Sequence, residues 1–333
     1  MEPSVDVMAV GDMVVDNFIR LKEASVHCRI DTEACEICMR WGDKIPFEFS
    51  MDVPGVGNSA NFAVSVARLG LTAALRAYVG EDTLGEACID SLKKEGVGVA
   101  FVEKVLDKHT NHHYVLWFGS ERTILIKHEV FDYQIPTTLP TPRWLYLSSL
   151  GENSLPYHEL LAKLLAGWPG TKLAFQPGTF QIQAGVEKLQ EIYKRSDIFF
   201  CNKEEAEHIT RAGPTEDIKK LLVSIKQLGP KIVVITNDRK GAYALDDENH
   251  FYYIPMYPDP RPPYERTGAG DAFASSVVAA LALGKPLPEA LLWGPINAMA
   301  VVQDIGAQKG LLTREQLQAY MDKAPKEYAL QDL

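Results

Sequence analysis

The chain has 333 residues, 46% hydrophobic and 23% charged, with a formal net charge of -10. That balance excludes a disordered chain and disfavours nucleic acid or an anionic membrane surface as a partner. No apolar run reaches the ~20 residues of a membrane span. The five cysteines are odd in number and unevenly spread, which argues against a secreted disulfide framework.

The N-terminus, MEPSVDVMAVGDMVVDNF, has no basic segment leading into an apolar one, so no signal peptide is expected and the chain reads as cytoplasmic. VDVMAVGDMVVD predicts a buried strand ending at Gly11 and Asp12. Residues 21–53 mix charges, cysteines and short alternating pieces, which predicts strands and turns outside the main sheet. NSANFAVSVARLG predicts a helix closed by Gly70. AALRAYVG follows as a strand and LGEACIDSLKKEGV as an amphipathic helix. HHYVLWFG and RTILIKH flank a turn and predict a hairpin. Strands at RWLYLSSL, TKLAFQPG, DIFFCN and KIVVITN then alternate with helices at LPYHELLAKLLAGW, VEKLQEIYKRS, EEAEHIT and TEDIKKLLVSIKQLG. KGAYALDD and HFYYIPM predict a strand pair. The rest is helical from Asp271 to about Asp322, broken near Gly284 and Gly306.

Strands alternating with helices predict an α/β fold: a three-layer, doubly wound, mostly parallel sheet covered on both faces. Residues 21–53 and 112–127 lack covering helices and are expected to pair as a small β-sheet inserted into the main domain, which takes residues 1–20, 54–111 and 128–333.

ERTGAGDAF, residues 265–273, carries the chemistry. Gly268, Ala269 and Gly270 leave backbone amides uncovered at a helix N-terminus, where unpaired donors and the helix dipole favour an anion. Phosphoryl transfer needs such fixed donors. Asp271 stands in the first turn, where a carboxylate can take a proton from an attacking hydroxyl; the plainer alternative is a glycine-rich turn whose Asp stabilises its helix. Asp12 and Asp16 lie just past the first strand, where ligands sit in open α/β sheets. Gly57 and Asn61 head the earlier helix. Asn202 and Glu205 follow another strand end. They suit water-mediated Mg²⁺ or phosphate positioning, or a capping box.

VGNSANFAVSVARLG and ERTGAGDAFASSVVAALALG resemble the two signatures of the ribokinase-like (PfkB) carbohydrate kinases, and VGEDTLGEACIDSLKKEGV, NKEE and INAMAVVQDIGAQ match that family in order and spacing. The resemblance runs from about Val5 to Leu317. It implies the ribokinase-like fold, and ATP-dependent phosphorylation of a hydroxymethyl group on a sugar-like substrate. It implies Asp271 as catalytic base, with Gly268, Ala269 and Gly270 as the anion hole. Asp12, Asp16, Gly57 and Asn61 would hold the substrate. Asn202, Asn237, Gly241, Thr267 and Asn297 would attend the nucleotide, and Glu205 the Mg²⁺. The small sheet would be a lid that closes on substrate and pairs two subunits into a homodimer. Glu265 and Arg266 depart from the family's pattern at a position tied to monovalent-cation activation, which leaves K⁺ open. Val56, Ser59, Gln176 and Asn237 are further departures; Ser59 speaks against ribose itself.

Two alternatives stand beside this reading. One is a nucleoside kinase of the same fold, with Phe47, Phe49, Tyr114 or Trp117 stacking a base. The other is a non-catalytic binding protein on the same scaffold, against which the intact Asp271 and Gly-Ala-Gly argue. Cys28, Cys35 and Cys38, with His27 adjacent, read as reduced thiols packing the small sheet, or as a zinc site short of its usual four ligands.

Overall fold

The computed structural model describes residues 5–28, 35–119, 121–215 and 217–333. In chain order the first strands are β1 (Val7–Val10), β2 (Val14–Leu21), β3 (Ser25–Cys28), β4 (Cys35–Cys38) and β5 (Phe47–Val56), followed by helix α1 (Asn58–Arg68). Next come β6 (Ala73–Gly80), α2 (Thr83–Lys94), β7 (Gly98–Val105), β8 (Asn111–Phe118) and β9 (Glu121–Lys127). The central units are β10 (Trp144–Leu147), α3 (Leu155–Ala166), β11 (Lys172–Phe175), α4 (Thr179–Ala184), α5 (Gln190–Arg195), β12 (Ile198–Asn202), α6 (Lys203–Thr210), α7 (Ile218–Lys226) and β13 (Ile232–Thr236). The chain closes with β14 (Ala242–Leu245), β15 (Phe251–Ile254), α8 (Ala269–Ala282), α9 (Leu287–Val301), α10 (Arg314–Asp322) and β16 (Gln331–Asp332).

The main sheet has ten strands in the order β16-β15-β14-β13-β12-β11-β10-β1-β6-β7. From β7 to β13 every pairing is parallel; β14, β15 and β16 then add antiparallel at one edge. β1, β6 and β10 are buried along their whole length because helices cover both faces. One apolar layer joins Phe62 and Val66 of α1 to Val277 of α8 and Ile296 of α9. The other joins Leu161 of α3, Ile192 of α5 and Leu221 of α7. The expected three-layer, mostly parallel fold is therefore present.

The first predicted strand is two strands. β1 stays in the main sheet, the chain bends at Gly11 and Asp12, and β2 leaves for a second sheet. The apolar run continues through the bend, so hydrophobicity alone does not mark it. At Gly11 a Cβ would lie 2.1 Å from Ser59 Oγ, so only glycine lets the bend pack against α1. The second sheet is ordered β5-β2-β8-β9, with β2 antiparallel to β5 and parallel to β8. The expected pairing of 21–53 with 112–127 thus runs through residues 14–21, which sit between them. Asp16 lies within β2, not in a loop after the first strand.

β3 and β4 form a separate two-stranded ribbon. Cys28 and Cys35 stand opposite each other in it, with Cα atoms 4.0 Å apart, and are joined as a disulfide; Cys38 is free. The expectation of three reduced thiols is corrected by this register, which brings two of them face to face. Among the described residues no group of three or more metal-ligating side chains occurs, and no helix is long and apolar enough to cross a membrane.

Candidate active site

The parallel strands end on one side of the main sheet, and the candidate residues gather there. Gly268 caps α8 with φ of 83°, and a Cβ on it would lie 2.5 Å from that of Ala307, so both backbone and space require glycine. The helical ladder begins with Ala272 N–H donating to the Gly268 carbonyl at 2.8 Å. The amides of Ala269, Gly270 and Asp271 precede that bond, and no side chain caps them. At Gly270 a Cβ would meet only Gln176 Nε2, at 3.8 Å, so the space in front of these amides is open.

Asp271 is buried and held by three side-chain amides. Asn58 Nδ2 donates to Oδ1 and Asn61 Nδ2 to Oδ2, each at 2.8 Å, and Gln176 Nε2 donates to Oδ1 at 3.3 Å. Burial raises the pKa of Asp271 above the usual carboxylate value, and the three amides act in the opposite direction. Asn61 accepts from Gln308 Nε2 through its own oxygen, so its amide group is fixed with the NH₂ toward Asp271. Gly57 begins α1 with φ of 104°, its Cβ position 2.9 Å from the Asp12 carbonyl. Asn58 and Asn61, at the head of the helix that Gly57 begins, thus place the carboxylate.

Two clefts meet at this point. The first, about 530 Å³, is walled by Asn58 and Gln176, by His113 and His128 from the second sheet and the segment after it, and by Glu205 and Phe180. Asp12 and Asp16 stand behind the two imidazoles. Tyr133 donates to Asp12 Oδ1 at 2.9 Å, and the Nδ1–H of His128 meets Asp12 Oδ2 at 2.9 Å, since an ionised carboxylate only accepts. Asp12 is therefore fully engaged and reaches the cleft only through His128. His113 Nδ1 lies 3.3 Å from Asp16 Oδ1, and the Nε2 atoms of the two histidines are 3.2 Å apart. Asp16 Oδ1 is buried without a hydrogen bond.

The second cleft, about 210 Å³, lies on the other side of the α8 terminus. Gly241, Ala269, Gly270, Arg239 and Arg266 line it, with Pro295, Ala298 and Met299 of α9. Asn237 and Asn297 are not part of that wall. Asn237 closes the turn after β13, its N–H donating to the Gly241 carbonyl at 2.8 Å. Asn297 is fully buried: its Nδ2 donates to Ser276 Oγ at 2.8 Å and Ser65 Oγ at 3.1 Å, and its Oδ1 accepts from Leu312 N. It ties α1, α8 and α9 together. Thr267 turns back on Glu265, donating through both N–H and hydroxyl. Asn202 and Glu205 make a reciprocal capping box, with contacts of 2.7 and 2.9 Å. Glu205 also faces the first cleft, and burial raises its pKa.

Arg122 of β9 crosses from the second sheet to the loop before α8, where its Nε lies 3.3 Å from buried Glu265 Oε1. Trp117 is 3% exposed, packed edge-on by Phe49 and Tyr264 and covered by Arg20, whereas Phe47 is 50% exposed. Packed in this way, Trp117 is not available to stack a base. None of Phe47, Phe49, Tyr114 and Trp117 walls the first cleft.

His113, His128, Tyr133 and Asn58 escaped the sequence reading. Only Asn58 carried a signal, one residue past Gly57 in a helix-capping stretch. The histidines enter the site through strand pairing that local pattern does not reveal.

A family model described as "pfkB family carbohydrate kinase" matches residues 53–314. The chain belongs to that family. Within it, the protein is similar to "Bifunctional protein HldE" of Pseudomonas syringae pv. tomato, 26% identical over 298 residues, covering 80% of this chain and 60% of that protein. The chain thus spans only about 60% of the length of several such HldE relatives. It is 25% identical over 292 residues to a 5-dehydro-2-deoxygluconokinase of Clostridium perfringens, covering 82% and 85% of the two chains. Among solved structures, ribokinase from Giardia lamblia superposes with a TM-score of 0.79 at 18% identity, covering 96% of this chain and 99% of that one. A Methanocaldococcus jannaschii nucleoside kinase superposes with a TM-score of 0.75 at 18% identity, covering 96% and 99%. Those two likenesses establish the ribokinase fold.

Proposed function

We propose that this pfkB-family kinase transfers the γ-phosphoryl group of ATP to a hydroxymethyl group of a sugar-like substrate, with Asp271 as general base. One observation carries the reading: a buried carboxylate with a raised pKa, fixed by three amides, at a helix N-terminus between two clefts. A substrate hydroxyl in the first cleft would pass its proton to Asp271 as its oxygen attacks. The amides of Ala269, Gly270 and Asp271 face the region where negative charge grows, and need no rearrangement to meet it. ATP suits the second cleft, whose wall supplies Arg239, Arg266 and open helix amides for a polyphosphate.

Mg²⁺ typically keeps several waters and takes one or two carboxylates. Glu205 and Asn202 fit that pattern, and the ion would neutralise polyphosphate charge. At Glu265, the guanidinium of Arg122 supplies a fixed cation, which favours activity without K⁺. The β5-β2-β8-β9 sheet reads as a lid over the first cleft, and its exposed Phe47 and Leu125 suit a lid-to-lid homodimer.

An ADP-release screen with Mg-ATP over sugars, sugar acids, sugar phosphates and nucleosides tests the reading. Substrate-dependent ADP release that is lost in Asp271→Asn is expected. ADP release unchanged by that substitution would overturn the base assignment.

A further inference from the structure

We propose that the acceptor is a hydroxylated molecule carrying no phosphate or carboxylate group, and that His113 and His128 read its hydroxyls. The inference rests on the kinase reading for which cleft holds the acceptor. It deepens that reading by naming the substrate class.

The charge of the first cleft decides the matter. Among the described residues its wall contains Glu129, Glu152 and Glu205, and neither lysine nor arginine. Asp271 stands just behind Asn58 and Gln176. Lys127 is the cation nearest Glu129 in sequence, and it points outward, 68% exposed, at 3.4 Å from that carboxylate. The cationic groups that remain available are the two imidazoles, and each already has a carboxylate: Asp12 at 2.9 Å from His128 and Asp16 at 3.3 Å from His113. Any positive charge they carry is thus balanced inside the protein. Sites that bind phosphate or carboxylate groups place arginine or lysine against them. This same chain does so in its other cleft, with Arg239 and Arg266. Apart from the Mg²⁺ proposed at Glu205, an anionic acceptor in the first cleft would meet carboxylates unmatched by any arginine or lysine of the described wall.

What the cleft does offer suits hydroxyl groups. His113 and His128 touch through Nε2 at 3.2 Å and are oriented from behind by Asp16 and Asp12. Asp16 Oδ1 is buried behind His113 and bears on the cleft through that imidazole. A row of fixed donors and acceptors without net positive charge matches neighbouring hydroxyls on a sugar or polyol. The Clostridium relative is named for a gluconate derivative; the residues of this cleft give no reason to carry that acid over.

The test pairs each uncharged compound with its anionic counterpart: glucose with gluconate, ribose with ribose phosphate, myo-inositol with inositol phosphate, adenosine with adenosine monophosphate. Affinities come from calorimetric titration of the full chain, and ADP release is followed in parallel. The uncharged member of a pair should bind about tenfold or more tightly, the size expected for one unfavourable charge contact. Glu152→Arg, a change on an exposed part of the wall, should shift the ratio of the two affinities severalfold toward the anionic member. An anionic member that binds as tightly as its partner overturns the proposal, as does a panel in which no uncharged compound binds. A ratio unmoved by Glu152→Arg also overturns it, because size and not charge would then discriminate. The two readings fail separately. Uncharged compounds that bind without ADP release count against the kinase reading alone, and preferred turnover of a sugar phosphate counts against this one alone.

Discussion

Asn58 Nδ2 donates to Asp271 Oδ1 at 2.8 Å, joining the first turn of α1 to the first turn of α8 across 213 positions of sequence. Together with Asn61 it fixes the orientation of the carboxylate. In Asp271→Asn the base is lost and the new NH₂ is set against one of the three donating amides. Turnover should fall by about 10²–10⁴, with ATP affinity changed only a few-fold in a direct titration. A variant keeping most of its activity at saturating substrate would show that another group accepts the proton.

The pH profile follows from the same contacts. Burial raises the pKa of Asp271, and the ionised form is the one that works as a base. Activity should therefore fall as pH drops through a value above the ordinary carboxylate range. Asn58→Leu removes a hydrogen bond that favours the ionised form, so the acid limb of kcat/KM should move to higher pH. A limb that stays in place would separate the limb from Asp271.

Gly268 and Gly270 should respond differently to alanine. Gly268→Ala meets both a φ of 83° and the Cβ of Ala307 at 2.5 Å. The backbone cost alone is roughly 1–2 kcal/mol, so a lower Tm is expected. Gly270→Ala has ordinary backbone and open space, so Tm should hold while the KM for ATP rises or kcat falls. Equal loss of stability in both would mean the space before the amides is not open.

Asp16→Ala removes a buried acceptor on the acceptor side of the site. Losing a hydrogen bond to a charged group costs about 1.5–3 kcal/mol, so the sugar KM should rise about tenfold or more and that for ATP little. A selective effect on ATP would contradict this placement.

Arg122 should make turnover indifferent to K⁺. Replacing potassium by tetramethylammonium should leave the rate of the unaltered protein unchanged. Arg122→Met strands a buried carboxylate, which costs up to about 3–5 kcal/mol, less here because Thr267 and the Gly306 amide still donate to it. Potassium should then raise the Tm of the variant. Strong potassium activation of the unaltered protein would refute the idea.

The lid interface is checked by light scattering on the full chain. Exposed Phe47 and Leu125 predict a dimer at micromolar concentration. A monodisperse species near 37.0 kDa would refute it.

What could be read from the sequence was what repeats locally. Alternating strands and helices, glycine stops and the bare turn before Asp271 each show within a dozen residues, and the fold follows from them. β2 was hidden because one apolar run serves two sheets. The Asn202–Glu205 spacing was ambiguous, and the structure has the cap while leaving Glu205 at the cleft. Asn297 had the right helix but the wrong face: its neighbours Ala298 and Met299 line the second cleft. His128 follows β9 with no pattern of its own; it is held at the site by a hydrogen bond to Asp12, 116 residues earlier. Residues whose role depends on a distant partner were the ones missed.

The long separation between Asn58 and Asp271 also bears on synthesis. A ribosome makes the sugar-side strands, the Asn58–Asn61 turn and the whole parallel core before it reaches α8. On the proposed mechanism, an unfinished chain lacks both Asp271 and the open amides before it, and so could not transfer phosphate. Asp271 can meet Asn58 and Asn61 only once α8 has been made, and Asn297, made after it, joins both helices to α9.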